Sequence, residues 1–291
     1  MPRARRRAVF TVLFRAGTVL ALLLVLSPAV WLLGGVVAKA VPHWQWNVLW
    51  TNLRGEDGGL LGPIVGTLVL MAGVLLIAGS VGVLAGIHLA ELGRPGRHGG
   101  PGGTWLRMAS DVLAGFPSIV LGYVGYVALV VGLHWEFSLL PALLVLSVMV
   151  VPYIAKATET ALRQVPVSYR EGAEALGMSM GHSMRKVVLK SAAPGIVTGL
   201  LIGLAIAGGE TAPLLFTAGF SSTVWTGSLV HSQGFGYLTY LVYQFWSYPV
   251  KHANYLSYDA GLILVVMVLL LLVAARVIVA RTQRHSEYRG R

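Results

Sequence analysis

The sequence predicts an all-α membrane protein of six transmembrane helices, with both termini on the cytoplasmic side. Three observations predict it. Of 291 residues, 56% are hydrophobic and only 11% charged, and the mean hydropathy is +0.73; an ordinary soluble domain is roughly a quarter charged. The apolar residues also fall into runs long enough to cross a bilayer, which takes about 20 helical residues. Finally, the basic residues are divided unequally between the segments that join those runs.

Taken in order, Ala16–Ala38 is the first run and carries no charge. It is too long for a cleaved signal, and no convincing small-residue cleavage site follows it. Leu60–Ala90 is the second run, broken only by glycines and His88, and Val112–Leu133 is the third. Leu139–Ala155 is shorter, and Lys156–Leu162 extends it. Ala192–Gly209 and Ala260–Ala280 complete the six. Six spans place both termini on one side. The segments on that side hold 19 of the 22 Lys and Arg residues, while Lys39, Arg54 and Lys251 fall on the other. Basic loops stay in the cytoplasm, so that side is the inner one. This bias accounts for the net charge of +11 without a nucleic-acid partner.

The organisation follows: a basic tail at 1–15, the first span with its external loop at 16–59, a core at 60–282 with a long inner connection at 164–191, and a tail at 283–291. Trp44, Trp46 and Trp50 in the first external loop suit the membrane–water interface. Residues 220–257 are too polar for a seventh span and admit a re-entrant or interfacial piece. Gly195, Gly199 and Gly203 recur every four residues, the spacing at which helix backbones approach closely. They read as tight packing within the bundle, or as a gate or partner interface.

The inner connection carries the strongest signal. Val165-Pro166 ends one helix, because the residue before proline is pushed out of the helical region. Ser168 then reads as the cap of a short helix over Tyr169–Leu176, with Glu171 completing a capping box, and Gly177 stops it. An amphipathic stretch, Gly181–Leu189, leads to Pro194 and the fifth span. A short capped helix between two spans is a lever that docks on a soluble partner, or an ordinary surface helix.

At these residues the chain resembles a family. Glu171-Gly172-Ala173, then Gly177, then Val187-Val188-Leu189 nine residues on, resemble the EAA loop of ABC importer permeases. The family has Ala where Gly172 stands and Pro where Lys190 stands. Gly209-Glu-Thr-Ala-Pro-Leu-Leu-Phe-Thr-Ala218 and Gly115-Phe-Pro-Ser-Ile-Val-Leu-Gly122 resemble stretches of the phosphate-transport permeases. That family carries an Arg four residues before the signature Glu; here the place is held by Ile206, so no role of that Arg is carried over. The resemblance spans roughly 60–282. It implies the type I ABC importer permease fold, with Glu171, Gly172, Ala173 and Gly177 docking on an ATPase. It further implies an ATPase homodimer that binds ATP and Mg, a second related permease and an extracytoplasmic phosphate-binding protein. The chain would then sit in a bacterial inner membrane among lipid, carry no cofactor and form half of a phosphate pathway.

Several polar residues are candidates for that pathway. Glu210 ends an apolar span, where an acid is costly; it either braces a broken backbone or accepts the proton of hydrogenphosphate, which sulfate lacks. Gly208-Gly209 and Pro213 bracket Glu210-Thr211-Ala212, which reads as an unwound span or a simple kink. Freed N–H groups and the Thr211 hydroxyl would bind an oxyanion. Ser118 joins them from the 115–122 stretch. Lys156, Glu159, Thr160 and Arg163 share one helical face, either as a salt-bridged face toward the bundle interior or with Lys156 or Arg163 as an anion attractor. Asp111 reads as a dipole partner at the start of the third span. Enzyme chemistry has little support: the chain has no Walker A loop and no H-E-x-x-H, and with no cysteine it offers no thiol nucleophile. The rival readings are a sulfate or molybdate permease and a membrane enzyme or secondary transporter.

Overall fold

The computed structural model describes residues 3–287 apart from 56, 93–100, 223, 226, 231–233 and 250. The readings that involve Arg94, Arg97, His231, Arg289 and Arg291 fall outside these residues. The first helices are α1 (Arg3–Ala40), α2 (Leu61–Leu92), α3 (Pro101–Gly115), α4 (Ser118–Gly125) and α5 (Leu139–Arg163). The 164–191 connection holds α6 (Val167–Ala175) and α7 (Met180–Ser183), and the rest holds α8 (Leu189–Gly209), α9 (Ala212–Thr217), α10 (Leu238–Phe245) and α11 (Lys251–Glu287). A two-residue hairpin between α1 and α2 pairs Leu53 with Gly58 and Arg54 with Asp57.

Among the described residues, five helical segments are long and apolar enough to cross a membrane, and α3 with α4 makes a sixth if that bent pair is one span. The third span is therefore not the straight helix expected over Val112–Leu133. α3 and the helix from Ser118 to Val131 meet at 101°. Pro117 supplies no N–H and disfavours helical angles at Phe116, so the apolar run turns a corner there. Beyond α4, Tyr126–Val131 continues as a π-helical turn.

The last span also starts earlier than its apolar run, at Lys251 rather than Ala260. Polar residues in its first turns are satisfied from within the protein: Asn254 donates to the Tyr248 carbonyl (2.9 Å) and Ser257 to that of Val242 (3.1 Å). Residues 220–257 form no further span; they hold α10, whose Leu238, Leu241 and Phe245 are buried against α11 residues such as Leu256 and Ala260.

α5 is the central helix, its inward residues Leu146, Val150 and Ile154 almost fully buried. α2 and α8 lie against it with glycine at the contacts. A Cβ on Gly82 would come within 2.8 Å of Ile154, and one on Gly199 within 2.6 Å of the Ala157 Cβ. Gly195 and Gly203 meet Ala161 and Ile154 in the same way. The four-residue glycine repeat is thus the packing face of α8 on α5. Close backbone approach is what binds helices where lipid removes the hydrophobic drive between them.

Candidate translocation and coupling sites

The α8 helix ends at Gly209, and the chain then leaves helical angles for two residues. Glu210 is extended (φ −75°, ψ 138°), and Thr211 (φ −121°, ψ −48°) caps α9, with Pro213 in its first turn. Helical bonding restarts when the Thr211 carbonyl accepts from the N–H groups of Leu214 (3.1 Å) and Leu215 (3.2 Å). The span is locally unwound, one of the two readings that the Gly-Gly and Pro bracket leaves open. Unwound backbone at membrane depth is tolerated only against protein or a wet cavity. Here the Thr239 hydroxyl of α10 donates to the Glu210 carbonyl (3.0 Å).

The 115–122 stretch meets this break. The bend at Pro117 aims α4 at α9, where Gly122 touches Pro213 so closely that a Cβ would lie 2.5 Å from its Cα. One helical turn earlier, Ser118 lies beside the half-buried Glu210 carboxylate. Four pathway candidates, Ser118, Glu210, Thr211 and Pro213, thus belong to one cluster, although they come from two distant parts of the chain.

Lys156 and Arg163 belong to a second cluster, at the inner end of α5. Arg163 and Arg107 of α3 both bind Glu159 Oε1, at 2.9 and 2.6 Å, and the Glu159 side chain is 13% exposed. Lys156 pairs with Asp111 at 3.1 Å, both largely exposed. The face is salt-bridged as its spacing predicts, but only Glu159 points into the bundle. Asp111 sits in the interior of α3, not at its start, because that helix begins at Pro101; its partner is a lysine instead of a helix end. Arg107 was not singled out from the sequence, and its position in an amphipathic helix is the signal that marks it.

In the coupling loop, the capping box at Ser168 does not form. α6 starts one turn-entry earlier, with Pro166 at the N-cap and no side-chain cap bond. Proline already fixes the entry angle, which puts Ser168 at the second helical position. The stop is as expected. Gly177 has φ +72°; its N–H bonds the Glu174 carbonyl (2.9 Å) and the Met178 N–H that of Ala173 (3.1 Å), the paired bonds of a Schellman motif. Ala173 is buried while Glu171 and Gly172 are exposed, so α6 rests on the bundle by one face and presents the other. The amphipathic stretch after it runs through α7 and a π-helical turn at Met184–Val188 directly into α8, forming one 30-residue segment, Met180–Gly209.

Comparison with known proteins agrees with this geometry. Residues 82–285 match the family described as binding-protein-dependent transport system inner membrane component. The phosphate transport system permease protein PstA 2 of Mycobacterium bovis is 54% identical over 275 residues, covering 94% of this chain and 89% of that one. PstA of Xylella fastidiosa is 35% identical, over 78% and 77% of the two chains. Among solved structures, an inward-facing form of the MetNI methionine ABC transporter superposes with a TM-score of 0.59 at 23% identity, covering 76% of this chain and 94% of that one. This last likeness concerns the fold alone, which is that of the type I ABC importer permeases. A multi-pass membrane chain with these matches belongs to the binding-protein-dependent transport system inner membrane components, and within them to the PstA family of phosphate transport system permeases.

Proposed function

We propose that this chain is the permease subunit of an ATP-driven importer of inorganic phosphate and lines half of its pathway. The observation that carries the reading is the joining of the two signature stretches at the break in α8, where Gly122 packs on Pro213 and Ser118 lies beside the Glu210 carboxylate. A carboxylate held there is an acceptor for the proton of hydrogenphosphate, and a site built to bond a substrate O–H rejects an anion that lacks one. The relatives' naming as phosphate transport permeases supports the same substrate.

The chain performs no bond chemistry in this reading. ATP and Mg bind a separate ATPase homodimer, α6 docks on it, and a second permease and an extracytoplasmic phosphate-binding protein complete the assembly. The crowding of basic residues on one set of connections puts the coupling loop and both termini in the cytoplasm. The test is reconstitution of the chain with these partners in liposomes and measurement of labelled phosphate uptake. Uptake should require ATP and resist competition by sulfate and molybdate. Uptake without the ATPase, or equal competition by those oxyanions, would overturn the proposal.

A further inference from the structure

The inner end of α2 gathers arginines from three other elements. The Leu89 carbonyl, in its last turn, accepts from Arg107 of α3 (3.2 Å) and Arg163 of α5 (3.5 Å). Two residues on, Glu91 Oε1 lies 2.7 Å from Nη1 of Arg170 in α6, and the two side chains are only 12% and 13% exposed. Glu91 Oε1 and the other guanidinium nitrogens of Arg170, Nε and Nη2, are buried without a hydrogen-bond partner among the described residues. The pair is thus a close charge contact, and Glu91 is the carboxylate that faces this head group. Beside the pair lies a cavity of about 180 Å³, lined also by Val167, Glu171, Glu174 and Met184. The coupling helix is not packed tightly onto the bundle at this point; an ion pair reaches across.

α6 is joined covalently to α5 through residues 164–166 and to α7 through residues 176–179. A short rod held only at its ends can roll under load, whereas a lateral attachment makes it carry the load onward. We infer that the Arg170–Glu91 pair is that lateral attachment: it transmits displacement of the coupling helix to α2, and Arg170 and Glu91 are positioning residues of the transport cycle. The displacement continues into α5 because α2 is in backbone-close contact with it, Gly82 on Ile154 and Gly86 on Thr158. Breaking one partner of a buried pair leaves an uncompensated charge, so each residue matters only while the other is present. The inference rests on the proposed coupling through residues 164–191.

Two measurements test it. In the reconstituted assembly, Glu91→Gln and Arg170→Gln should each lower phosphate moved per ATP hydrolysed by at least about fivefold, with the double variant no worse than either single, as for two residues acting through one contact. Arg170→Lys, which retains the charge, should recover part of the ratio. A wild-type ratio in both single variants, or losses that multiply in the double, overturns the inference. So does a fall in assembled complex alone, with the ratio of each complex intact. The second measurement needs no phosphate. The chain lacks cysteine, so spin labels on Ser80→Cys in α2 and Ser168→Cys in α6 report their separation alone. That separation should stay fixed when ATP is added to the otherwise unaltered chain and change when Glu91→Gln is also present; the same response in both overturns the strut. An assembly that fails to move phosphate yet shows this difference would refute the substrate and leave the strut standing.

Discussion

Gly122 lies so close to Pro213 that a Cβ would come within 2.5 Å of the proline Cα, so the helix beyond the Pro117 bend is seated on the first turn of α9. Each break in a span is thereby braced by the other. The Glu210 carboxylate beside this contact offers acceptor capacity, since its two oxygens present about four lone-pair sites.

Glu210→Gln retains the shape and one acceptor but removes the charge and adds a donor. Loss of a charged hydrogen bond costs about 1.5–3 kcal/mol, so phosphate uptake should fall roughly ten- to a hundredfold where that bond forms in the limiting step. The ratio of phosphate to sulfate uptake should fall with it. Ser118→Ala leaves the charge and should slow uptake without moving the ratio. Parallel uptake of both labelled anions, normalised to protein in the membrane, checks this; an unchanged ratio in Glu210→Gln would leave the carboxylate as a brace only.

Gly177 holds φ +72° with open space where a Cβ would point, so substitution there acts through the backbone alone. A β-branched residue is a genuine outlier at that angle, and Gly177→Val should unseat the end of α6 and weaken capture of the ATPase. Asn tolerates the left-handed region, so Gly177→Asn should retain most of it. Co-purification of ATPase with each variant decides; equal capture by Val and Asn would remove the role of this turn in docking.

The lone Lys156–Asp111 pair and the Glu159 cluster at the carboxyl-terminal end of α5 should respond differently. Lys156 and Asp111 are 74% and 65% exposed, and such pairs contribute about 0–1 kcal/mol, so Lys156→Ala should leave the melting temperature nearly unchanged. Glu159 is 13% exposed and serves two arginines. Glu159→Gln strands both and should cost about 2 kcal/mol, less than for fully buried pairs because the arginines are partly solvated. Thermal unfolding in detergent compares the two variants. An equal effect would contradict the difference in burial.

For orientation, a single cysteine at exposed Thr51 should react with an impermeant maleimide added outside whole cells, and one at exposed Ser179 only after permeabilisation. External reaction at Ser179 would invert the topology.

The apolar runs disclosed the spans because nothing but lipid-facing or bundle-facing helix sustains 20 such residues. They concealed the corner at Pro117, since hydropathy does not register direction; Gly115 and Pro117 were the only local marks. The start of α11 was hidden by Asn254, Ser257 and Asp259, which are polar in sequence yet placed within the protein. The coupling helix was legible as an element, but Pro166 pre-empted the cap assigned to Ser168. Within the site, Glu210 stood out by its cost in an apolar setting, and Ser118 by a motif. Their proximity did not, and neither did Arg170–Glu91 or Arg107–Glu159. Each joins residues from separate helices, and no spacing rule connects them.

The attachment of α1 has a mechanical consequence. It meets α11 near its carboxyl-terminal end, where Val36 lies against Gly261 and Lys39 donates to the Tyr258 hydroxyl (2.9 Å). The most apolar 18 residues within Phe10–His43 bury nothing within the chain. At 1.5 Å per residue, a helix of 38 residues is about 57 Å long, so α1 is a cantilever clamped at one tip. A tilt of about 5° at the clamp swings the basic tip by roughly 5 Å by the same geometry. Small adjustments around Lys39 are thus magnified at the far end of the helix, more than a bilayer's hydrocarbon thickness away.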